Sequence, residues 1–483
     1  MNFITKLVTN KIFLYLTTRY ITYFVQFVTS MVVAVKLGPY YFGIWSFILL
    51  LEHYFRIINF GVSNSLNVLL VQNNDNIEKT KNYMSSANFL VGLICVAIAF
   101  IAIYYKLFGI KFFEKYQIGW FFYIICLVAI LQHFNNLFSF VYRVKNRLFE
   151  LAFNQSIIPI LVLFVIPFFA DKTLILVLLT THLFGNLISM LLFIRQRKIP
   201  FGGKLLKEET KTVFNKGKYL FVYNACFYLI IVASATAVSI YYPVVEYGFY
   251  NFSYTLANVV VLLLNAFSFI IFPKVLYKLN SNDFNQVRDI IKSIRNTYVA
   301  SSHLLLYIAI ATIPFLISFV PKYQATSTSI AVAALAIMPY SNAFGFNTFL
   351  MAQNEEKLIS KISAFSLIIN ILLLILLVIV LKVSYKYVMF SVLISYFVFS
   401  YLCVYFGRRK LNVSTKLLSV LLEMYPIRFL VPLFLGIILT VGQFNSLYFL
   451  PLVVFIALNI DSIKTIFATL MRVIHSPSII DLK

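Results

Sequence analysis

Two apolar segments near the amino terminus each carry a stripe of polar side chains that includes an arginine. The polar residues of the first segment recur at helical spacing on one face: Arg19, Thr22, Gln26, Thr29 and Ser30. Those of the second segment do the same, with a histidine beside them: Glu52, His53, Arg56, Asn59 and Ser63. A charged side chain at the centre of a membrane helix costs about 2.5 to 3.5 kcal/mol, so such residues usually have a function. We expect both stripes to face one internal cavity.

The arginines predict a path for an anionic substrate, with Arg19, Gln26, Arg56 and Asn59 along it. A guanidinium group pairs bidentately with phosphate oxygens and keeps its proton when it is buried. Both cations also have a purely structural explanation. Glu52 and Arg56 lie four residues apart and could neutralise one another, while Arg19 lies near enough to its helix start to reach the membrane surface.

Glu52 and His53 are also candidates for binding a coupling proton or sodium ion. A desolvated carboxyl or imidazole group can titrate near neutral pH, which suits a transporter driven by an ion gradient. The simpler role for Glu52 is to pair with Arg56. The other histidines within apolar segments stand alone, and we interpret them as packing residues: His133, His182 and His303. Their spacing indicates no metal site, and no cofactor is predicted.

The second half of the chain has a polar stripe without charge. Three asparagines follow one another at intervals of seven residues, and a phenol and a hydroxyl extend the stripe: Asn251, Tyr254, Asn258, Asn265 and Ser268. Amide and phenol groups suit the hydroxyl groups of a sugar, so the asparagines join the candidate substrate path. Hydrogen bonding between membrane helices, worth about 0.6 kcal/mol on average, explains them equally well.

Composition indicates the class of protein that must position these residues. Of the 483 residues, 61% are hydrophobic and 12% are charged, whereas soluble domains carry roughly 25% charged residues. The apolar runs predict an all-α polytopic membrane protein with about fourteen transmembrane helices of roughly 20 residues each, which leaves no room for a soluble domain. The first run is too long for a signal-peptide core, and the four cysteines show no CxxC spacing.

Basic residues in the short connections predict the orientation. Most of the 40 Lys and Arg residues fall in alternate connections on the side of the amino terminus, which the positive-inside rule assigns to the cytoplasm together with both chain ends. The net charge of +24 therefore indicates topology rather than binding of nucleic acid. The richest basic loop, residues 195–218, separates two halves of the chain. Binding of anionic lipid headgroups is an alternative role for it.

A short internal repeat supports two similar halves. Residues 41–47 and 246–252 both contain the pattern aromatic-Gly-apolar-aromatic-polar-Phe, with Pro39 and Pro243 just before them. An even number of helices separates the copies, so the halves have parallel topology and predict two pseudo-symmetric six-helix lobes that rock against each other. The predicted regions are an N-lobe (1–195), a basic cytoplasmic linker (196–217), a C-lobe (218–407), two additional C-terminal helices (408–465) and a cytoplasmic tail (466–483).

Several stretches resemble the Wzx-type polysaccharide flippases of the multidrug/oligosaccharidyl-lipid/polysaccharide exporter superfamily. The first loop, Leu37-Gly38-Pro39-Tyr40-Tyr41-Phe42-Gly43, has the family's Leu-Gly-Pro, two variable positions and aromatic-Gly. Phe60-Gly61-Val62 is similar to the family's Phe/Leu-Gly-apolar signature. Tyr247-Gly248-Phe249-Tyr250 and Phe272-Pro273-Lys274 are similar to the start and end of its eighth span. The likeness extends to the spacing of the whole chain, although fourteen spans rather than twelve differs from many O-antigen members.

The resemblance implies a transporter and no enzyme. Such flippases move an undecaprenyl-pyrophosphate-linked oligosaccharide repeat unit across the cytoplasmic (inner) membrane of a bacterium by alternating access. The product serves O-antigen, capsule or exopolysaccharide synthesis. The expected partners are the lipid-linked oligosaccharide, membrane lipids and other membrane proteins of polysaccharide assembly.

Two other functions remain open from the sequence. A cation-coupled exporter of small molecules or drugs would share the two lobes, but two arginines in the cavity favour an anionic substrate over cationic drugs. A membrane polysaccharide polymerase would need a long external loop for its reactive groups. The longest outward connection runs only from Lys106 to Ile118, and no catalytic motif occurs in a connection that could fold as a site.

Overall fold

The computed structural model describes residues 11–73, 76–145, 147–196, 198–281 and 283–475, with side chains from residue 17 to 468 apart from 263–274, 276 and 277. The regular elements of this part are helical, as predicted. The first helices are α1 (Lys11–Ile57), α2 (Val62–Gln72), α3 (Ile77–Phe108), α4 (Lys111–Glu114), α5 (Phe121–Val144), α6 (Leu148–Val165), α7 (Asp171–Arg195) and α8 (Lys207–Tyr241). The others are α9 (Val244–Leu279), α10 (Phe284–Ser318), α11 (Ser327–Ser341), α12 (Phe346–Ala352), α13 (Glu356–Leu374), α14 (Phe390–Lys410), α15 (Leu417–Met424), α16 (Ile427–Val441), α17 (Leu450–Leu458) and α18 (Ile460–His475).

Many of these helices suit a membrane. In the described part of the chain, nine are long and apolar enough to cross it, and three bent helix pairs bring the number up to 12. One of the nine, α1, contains the first of the two segments with a polar stripe and the first part of the second, which continues past a break into α2. The helix α9 is outside this set, and some of its side chains are not described. The all-α polytopic fold is confirmed, and the count of fourteen spans and the cytoplasmic position of both ends remain predictions.

The bend in α1 lies in the stretch that resembles the flippase loop. Gly38 has φ 64° and ψ 171° within the helix, a conformation that glycine adopts without the steric cost of a Cβ atom. The following Pro39 has no N–H to donate to the preceding turn. Together these residues separate the two predicted spans within one continuous segment.

The break between α1 and α2 explains the Phe60-Gly61-Val62 motif. Phe60 and Gly61 have φ values of 46° and 73°, and the Gly61 N–H donates a hydrogen bond to Oδ1 of Asn59 at 2.8 Å. A Cβ atom on Gly61 would lie 2.7 Å from the carbonyl oxygen of Gly217 in α8. Glycine is required here by the left-handed backbone and by the close approach of a second helix.

The chain forms two compact units. The N-terminal unit comprises Thr17–Ala225, and the C-terminal unit comprises the chain from Cys226 onward together with the residues before Thr17, so the divisions fall within α8 and near the start of α1. Helices α2, α3, α5 and α7 enclose a core in the N-terminal unit whose members include Leu66, Met84, Leu137, Tyr142 and Phe193. The hydroxyl of Tyr142 donates to the carbonyl oxygen of Phe193 at 2.8 Å, which satisfies the polar end of a large buried ring.

The basic connection between α7 and α8 packs on the N-terminal unit. The backbone N–H of Lys204 donates to Oδ1 of Asn82 at 2.8 Å, and the Ser85 hydroxyl donates to the Gly203 carbonyl at 2.8 Å. A Cβ atom on Gly203 would lie 2.2 Å from the backbone carbonyl of Lys81. Glycine therefore lets this connection lie directly against the first turns of α3.

In the C-terminal unit, α11 packs against α9, α10 and α14. Small side chains let its neighbours approach closely, and those that are almost fully buried include Ala331, Ala333, Ala334 and Ala336. The second of the two additional C-terminal helices predicted within 408–465 is broken, because α17 and α18 meet at 81°. The buried Asn459 side chain donates to the carbonyls of Arg428 at 3.1 Å and Phe455 at 3.0 Å. This bonding to nearby carbonyls competes with continuation of the helix.

Candidate functional site

Arg19 joins α1 to α6 through neutral partners. Its Nη1 donates to Oε1 of Gln155 and its Nη2 donates to the Tyr23 hydroxyl at 2.7 Å. The guanidinium carbon also lies 4.8 Å from the centroid of the Tyr23 ring. Among the described residues, neither partner in these contacts is acidic, so they hold the Arg19 side chain in place without compensating its charge.

An apolar groove lies beside this contact, between the same two helices. Its volume is about 190 Å³, and it is lined by Thr18, Ile21, Thr22, Val25, Phe149, Phe153, Ser156, Pro159 and Ile160. The hydroxyls of Thr22 and Ser156 are 2.6 Å apart. Exposed fractions of 58% for Ile21 and 50% for Phe153 leave the groove open to an apolar ligand.

The rest of the first polar stripe divides between buried and exposed positions. Thr29 is buried and its hydroxyl donates to the carbonyl oxygen of Gln26 at 3.0 Å. The Gln26 side chain is exposed. Thus, two to three turns after Arg19, the Thr29 hydroxyl satisfies a local backbone carbonyl, while the amide of Gln26 is accessible.

Arg56 and Asn59 lie at the end of α1. The Nη2 atom of Arg56, which is exposed, lies 2.6 Å from Nδ1 of His53. Asn59 donates from Nδ2 to the Arg56 carbonyl at 3.4 Å. Its Oδ1 accepts the hydrogen bond from the Gly61 N–H, just after the helix. The amide of Asn59 therefore supports the α1–α2 break beside the Arg56 cation.

Glu52 pairs with His182. Its Oε2 accepts a hydrogen bond from Nε2 of Gln132 at 3.1 Å, and its Oε1 lies 3.5 Å from Nδ1 of His182. The imidazole ring of His182 meets the Trp45 ring edge to face, with centroids 5.1 Å apart. The interpretation of His182 as an isolated packing residue is therefore wrong. Its partner belongs to another helix and is 130 positions away, so no local spacing could have indicated the pair.

The other two histidines are buried and hydrogen-bonded. Nε2 of His133 lies 3.0 Å from the Phe55 carbonyl oxygen, and Nε2 of His303 lies 3.1 Å from Oδ1 of Asn342. His303 also stacks on Phe429, with ring centroids 4.8 Å apart. Both side chains pack in the interior with a polar partner, as the sequence predicted.

The asparagine stripe of the second half lies on α9. Asn251 is half-buried and donates to the carbonyl of Tyr247 at 3.1 Å, within its own helix. Asn258 is also half-buried. The side chain of Asn265 lies outside the described residues. Ser253, two positions after Asn251, connects α9 to the first turn of α11 through a hydroxyl contact of 2.6 Å with Ser329.

Arg295 is a buried cation that the sequence analysis did not single out. It is 7% exposed, and it donates to the carbonyls of Asn342 at 2.6 Å and Glu423 at 2.7 Å. These carbonyls lie at the ends of α11 and α15. The first turns of α10 also carry Arg288, Asp289 and Lys292, so nothing in the sequence singles out Arg295 among these charges.

The described side chains include no group of three His, Cys, Asp or Glu residues that could hold a metal ion.

In the connection after α5, burial and the neighbouring Lys198 lower the pKa of Lys145. Nζ of Lys145 donates to the Lys198 carbonyl at 2.5 Å, which ties this cation to the loop before α8.

Known proteins share this architecture. The family described as "Polysaccharide biosynthesis protein" matches residues 8–275. The lipid II flippase MurJ in an inward closed conformation has a TM-score of 0.67 at 15% identity, covering 95% of this chain and 100% of that chain. A multidrug resistance MATE family transporter of the MOP superfamily, in an inward-facing conformation, has a TM-score of 0.65 at 10% identity, covering 83% of this chain and 98% of that chain.

A MOP superfamily transporter from Pyrococcus furiosus has a TM-score of 0.59 at 11% identity and covers 83% of this chain and 95% of that chain. No curated protein matches the sequence. At these identities the structural likeness establishes the fold alone, whereas the family match spans more than half of the chain. The chain therefore belongs to the polysaccharide biosynthesis protein family and has the fold of MOP superfamily transporters.

Proposed function

We propose that this protein is a flippase that moves an undecaprenyl-pyrophosphate-linked oligosaccharide repeat unit across the cytoplasmic membrane of a bacterium. The observation that carries the proposal is the cation of Arg19, held by neutral groups next to an apolar groove. An anionic head with an apolar chain fits this combination. Membership of a polysaccharide biosynthesis family supports the glycan part of the substrate.

The pyrophosphate head requires cations along its path. Arg19 can exchange its hydrogen bond to Gln155 for bidentate contacts to phosphate oxygens, which are stronger because both partners are charged. Arg56 supplies the second cation, with Gln26 and Asn59 as polar neighbours. In the C-terminal unit, three amides are proposed to contact the glycan: Asn251, Asn258 and Asn265.

The apolar chain of the substrate requires a route that stays in the lipid. The groove between α1 and α6 offers one, since its aromatic and aliphatic side chains bury an isoprenoid chain at about 25 cal/mol per Å² of apolar surface. The Thr22–Ser156 hydroxyl contact, whose two residues line the groove, and the Arg19–Gln155 hydrogen bond both join α1 to α6. The proposed sites for the head and the chain thus lie along one helix contact, which must open for the substrate to pass.

Transport by alternating access would use two lobes, proposed at 1–195 and 218–407 with the basic linker 196–217 between them. Two further helices at 408–465 and a tail at 466–483 complete the proposed arrangement, with both ends in the cytoplasm. Glu52 and His53 are the proposed binding groups for a coupling proton or sodium ion. Other polysaccharide-assembly membrane proteins and membrane lipids are the proposed partners, in O-antigen, capsule or exopolysaccharide synthesis.

A small-molecule exporter is the second candidate, because a multidrug transporter shares the fold. The uncompensated Arg19 favours an anionic substrate over a cationic drug. Enzymatic polymerisation is disfavoured, since the family and the structural neighbours are transporters and flippases.

The experiment measures lipid-linked oligosaccharide in the two leaflets of cells that lack the gene. We expect material to collect on the cytoplasmic side, and wild type to relieve it. Arg19→Gln and Arg56→Ala should fail to relieve it although the proteins are inserted at normal levels. Arg409→Gln, which removes an exposed arginine in the last turn of α14, is the matched control and should behave as wild type. Normal translocation in the deletion strain, or altered drug efflux alone, would refute the proposal.

A further inference from the structure

Glu52 and His182 face each other inside the N-terminal unit. Glu52 is 5% exposed, and its Oε1 lies 3.5 Å from Nδ1 of His182. Among the described residues, neither of these two buried atoms has a hydrogen-bond partner. The other carboxylate oxygen accepts from Gln132. The two atoms thus lie 3.5 Å apart, a separation that a shared proton can bridge after a small movement of either side chain.

Among the described residues, three other ionisable side chains lie next to the pair or its partner Gln132 along α1 and α5: His53, Arg56 and His133. On α1, His53 and Arg56 contact each other at 2.6 Å. On α5, Gln132 is neutral and the adjacent His133 contacts the Phe55 carbonyl at 3.0 Å. Trp45 packs against the imidazole of His182. Of these side chains, only the guanidinium of Arg56 carries a permanent charge.

The number of protons on the pair determines its net charge. With one proton, carried by the imidazole, the pair is neutral overall as carboxylate and imidazolium. Without that proton it holds one negative charge, which is costly in an apolar interior unless a cation compensates for it. Arg56 lies one helical turn from Glu52 on α1 and can provide this compensation.

We propose that Glu52 and His182 form a proton-binding site that takes up a proton when an anion binds at Arg56. A phosphate group at Arg56 uses the positive charge that compensates the deprotonated pair, so proton uptake restores neutrality. By reciprocity, protonation of the pair increases the affinity for the anion by the same factor. This inference rests on the proposed function only for the anion, a lipid pyrophosphate. It identifies the coupling ion as a proton. The imidazole that binds this proton together with Glu52 is then that of His182 and not that of His53.

Trp45 provides a direct optical signal for the proton. The chain has two tryptophans, so Trp120→Phe leaves Trp45 as the sole indole, in contact with His182. We expect its emission in the full-length protein in nanodiscs to fall as pH decreases between about pH 9 and 4, because an imidazolium quenches indole fluorescence. His182→Gln should abolish this step. Glu52→Gln should move its midpoint to lower pH, because the carboxylate stabilises the imidazolium.

His133→Gln is the matched control for these variants. It removes another buried histidine from the same unit, and the Trp45 step should persist. A step that survives His182→Gln would overturn the proton site, as would the absence of any step in the parent protein. An unchanged midpoint in Glu52→Gln would overturn the pairing with the carboxylate.

The linkage to the anion is measured with undecaprenyl pyrophosphate in the nanodisc. We expect saturating lipid to move the Trp45 midpoint to higher pH, and Arg56→Gln to remove that shift. Undecaprenol, which has the same chain and no phosphate, should leave the midpoint in place. An equal shift with undecaprenol, or none with the pyrophosphate, would overturn the linkage.

The proton site and the proposed function fail in different ways. The titration without lipid concerns only Glu52 and His182, so its outcome does not depend on what the protein transports. A normal titration together with normal glycan translocation in the deletion strain would refute the flippase and leave the proton site standing. Absence of the Trp45 step, together with accumulation of lipid-linked oligosaccharide on the cytoplasmic side of the deletion strain, would refute the proton site alone.

Discussion

Arg295 connects the ends of two helices in the C-terminal unit, and its removal should loosen the helices that follow α14. The guanidinium donates to the carbonyls of Asn342 at 2.6 Å, Glu423 at 2.7 Å and Met424 at 3.4 Å. It also lies 5.1 Å from the centroid of the Phe346 ring. Positive charge is favourable at these positions, because carbonyl dipoles at a helix C-terminus point toward it.

Arg295→Met keeps much of the apolar volume and removes every donor. Each buried carbonyl left without a partner costs about 1 to 3 kcal/mol, so the two short hydrogen bonds represent a loss of about 2 to 6 kcal/mol. Methionine avoids the desolvation of a buried guanidinium, which offsets part of this loss. We expect a net destabilisation of about 1 to 3 kcal/mol, on the scale of other buried polar losses. Arg295→Lys should fall between wild type and Arg295→Met, because one ammonium group cannot reach both helix ends as the planar guanidinium does.

The assay is thermal unfolding in detergent together with limited proteolysis at the connection between α15 and α16. At about 2 to 4 °C per kcal/mol for units of this size, Arg295→Met should unfold several degrees below wild type. Cleavage near Tyr425 should also become faster, since the end of α15 loses its anchor. Arg409→Gln should change neither measurement. An Arg295→Met protein with wild-type unfolding temperature and a protected connection would refute the reasoning.

Two further predictions concern the N-terminal unit. Gly61→Ala should destabilise the protein by about 1 to 3 kcal/mol in thermal unfolding, since φ is +73° and the added Cβ meets a backbone carbonyl at 2.7 Å. Gly92→Ala, with nothing within 4 Å, should have no such cost, and equal losses would contradict the argument. In a cysteine-free background, a disulfide between Thr22→Cys and Ser156→Cys should block translocation until it is reduced. Full activity while it is cross-linked would contradict the proposed route. The control is a hydroxyl pair away from the groove, Ser253→Cys with Ser329→Cys, whose cross-link should not block the groove between α1 and α6.

Two short motifs of the sequence coincide with backbone features of the structure, although the sequence analysis used them only for the family resemblance. Gly38 and Pro39 mark the bend in α1, and Gly61 marks the break before α2. These residues act through their own φ angles or missing donors, so their effect is local and legible in the sequence. The contact of Gly61 with Gly217 was not legible, because it depends on the packing of α8 against that break.

The candidate site was predicted in part. Helical spacing indicated Arg19, Arg56 and Glu52 as residues of interest, because a charge in an apolar segment stands out by its cost. It did not indicate their partners. In the structure, the Glu52 carboxylate accepts a hydrogen bond from Gln132 and lies beside His182, whereas the spacing had suggested a pair with Arg56.

What the sequence by itself determined is the class of molecule: composition and the length of its apolar runs specify membrane helices, since insertion depends on the summed hydropathy of each segment. The tertiary structure decided which polar groups meet. Arg19 with Gln155 and Glu52 with His182 are separated by more than a hundred positions. Such pairs depend on how helices rotate and pack against one another, and a single helix's periodicity gives only the face on which a residue lies.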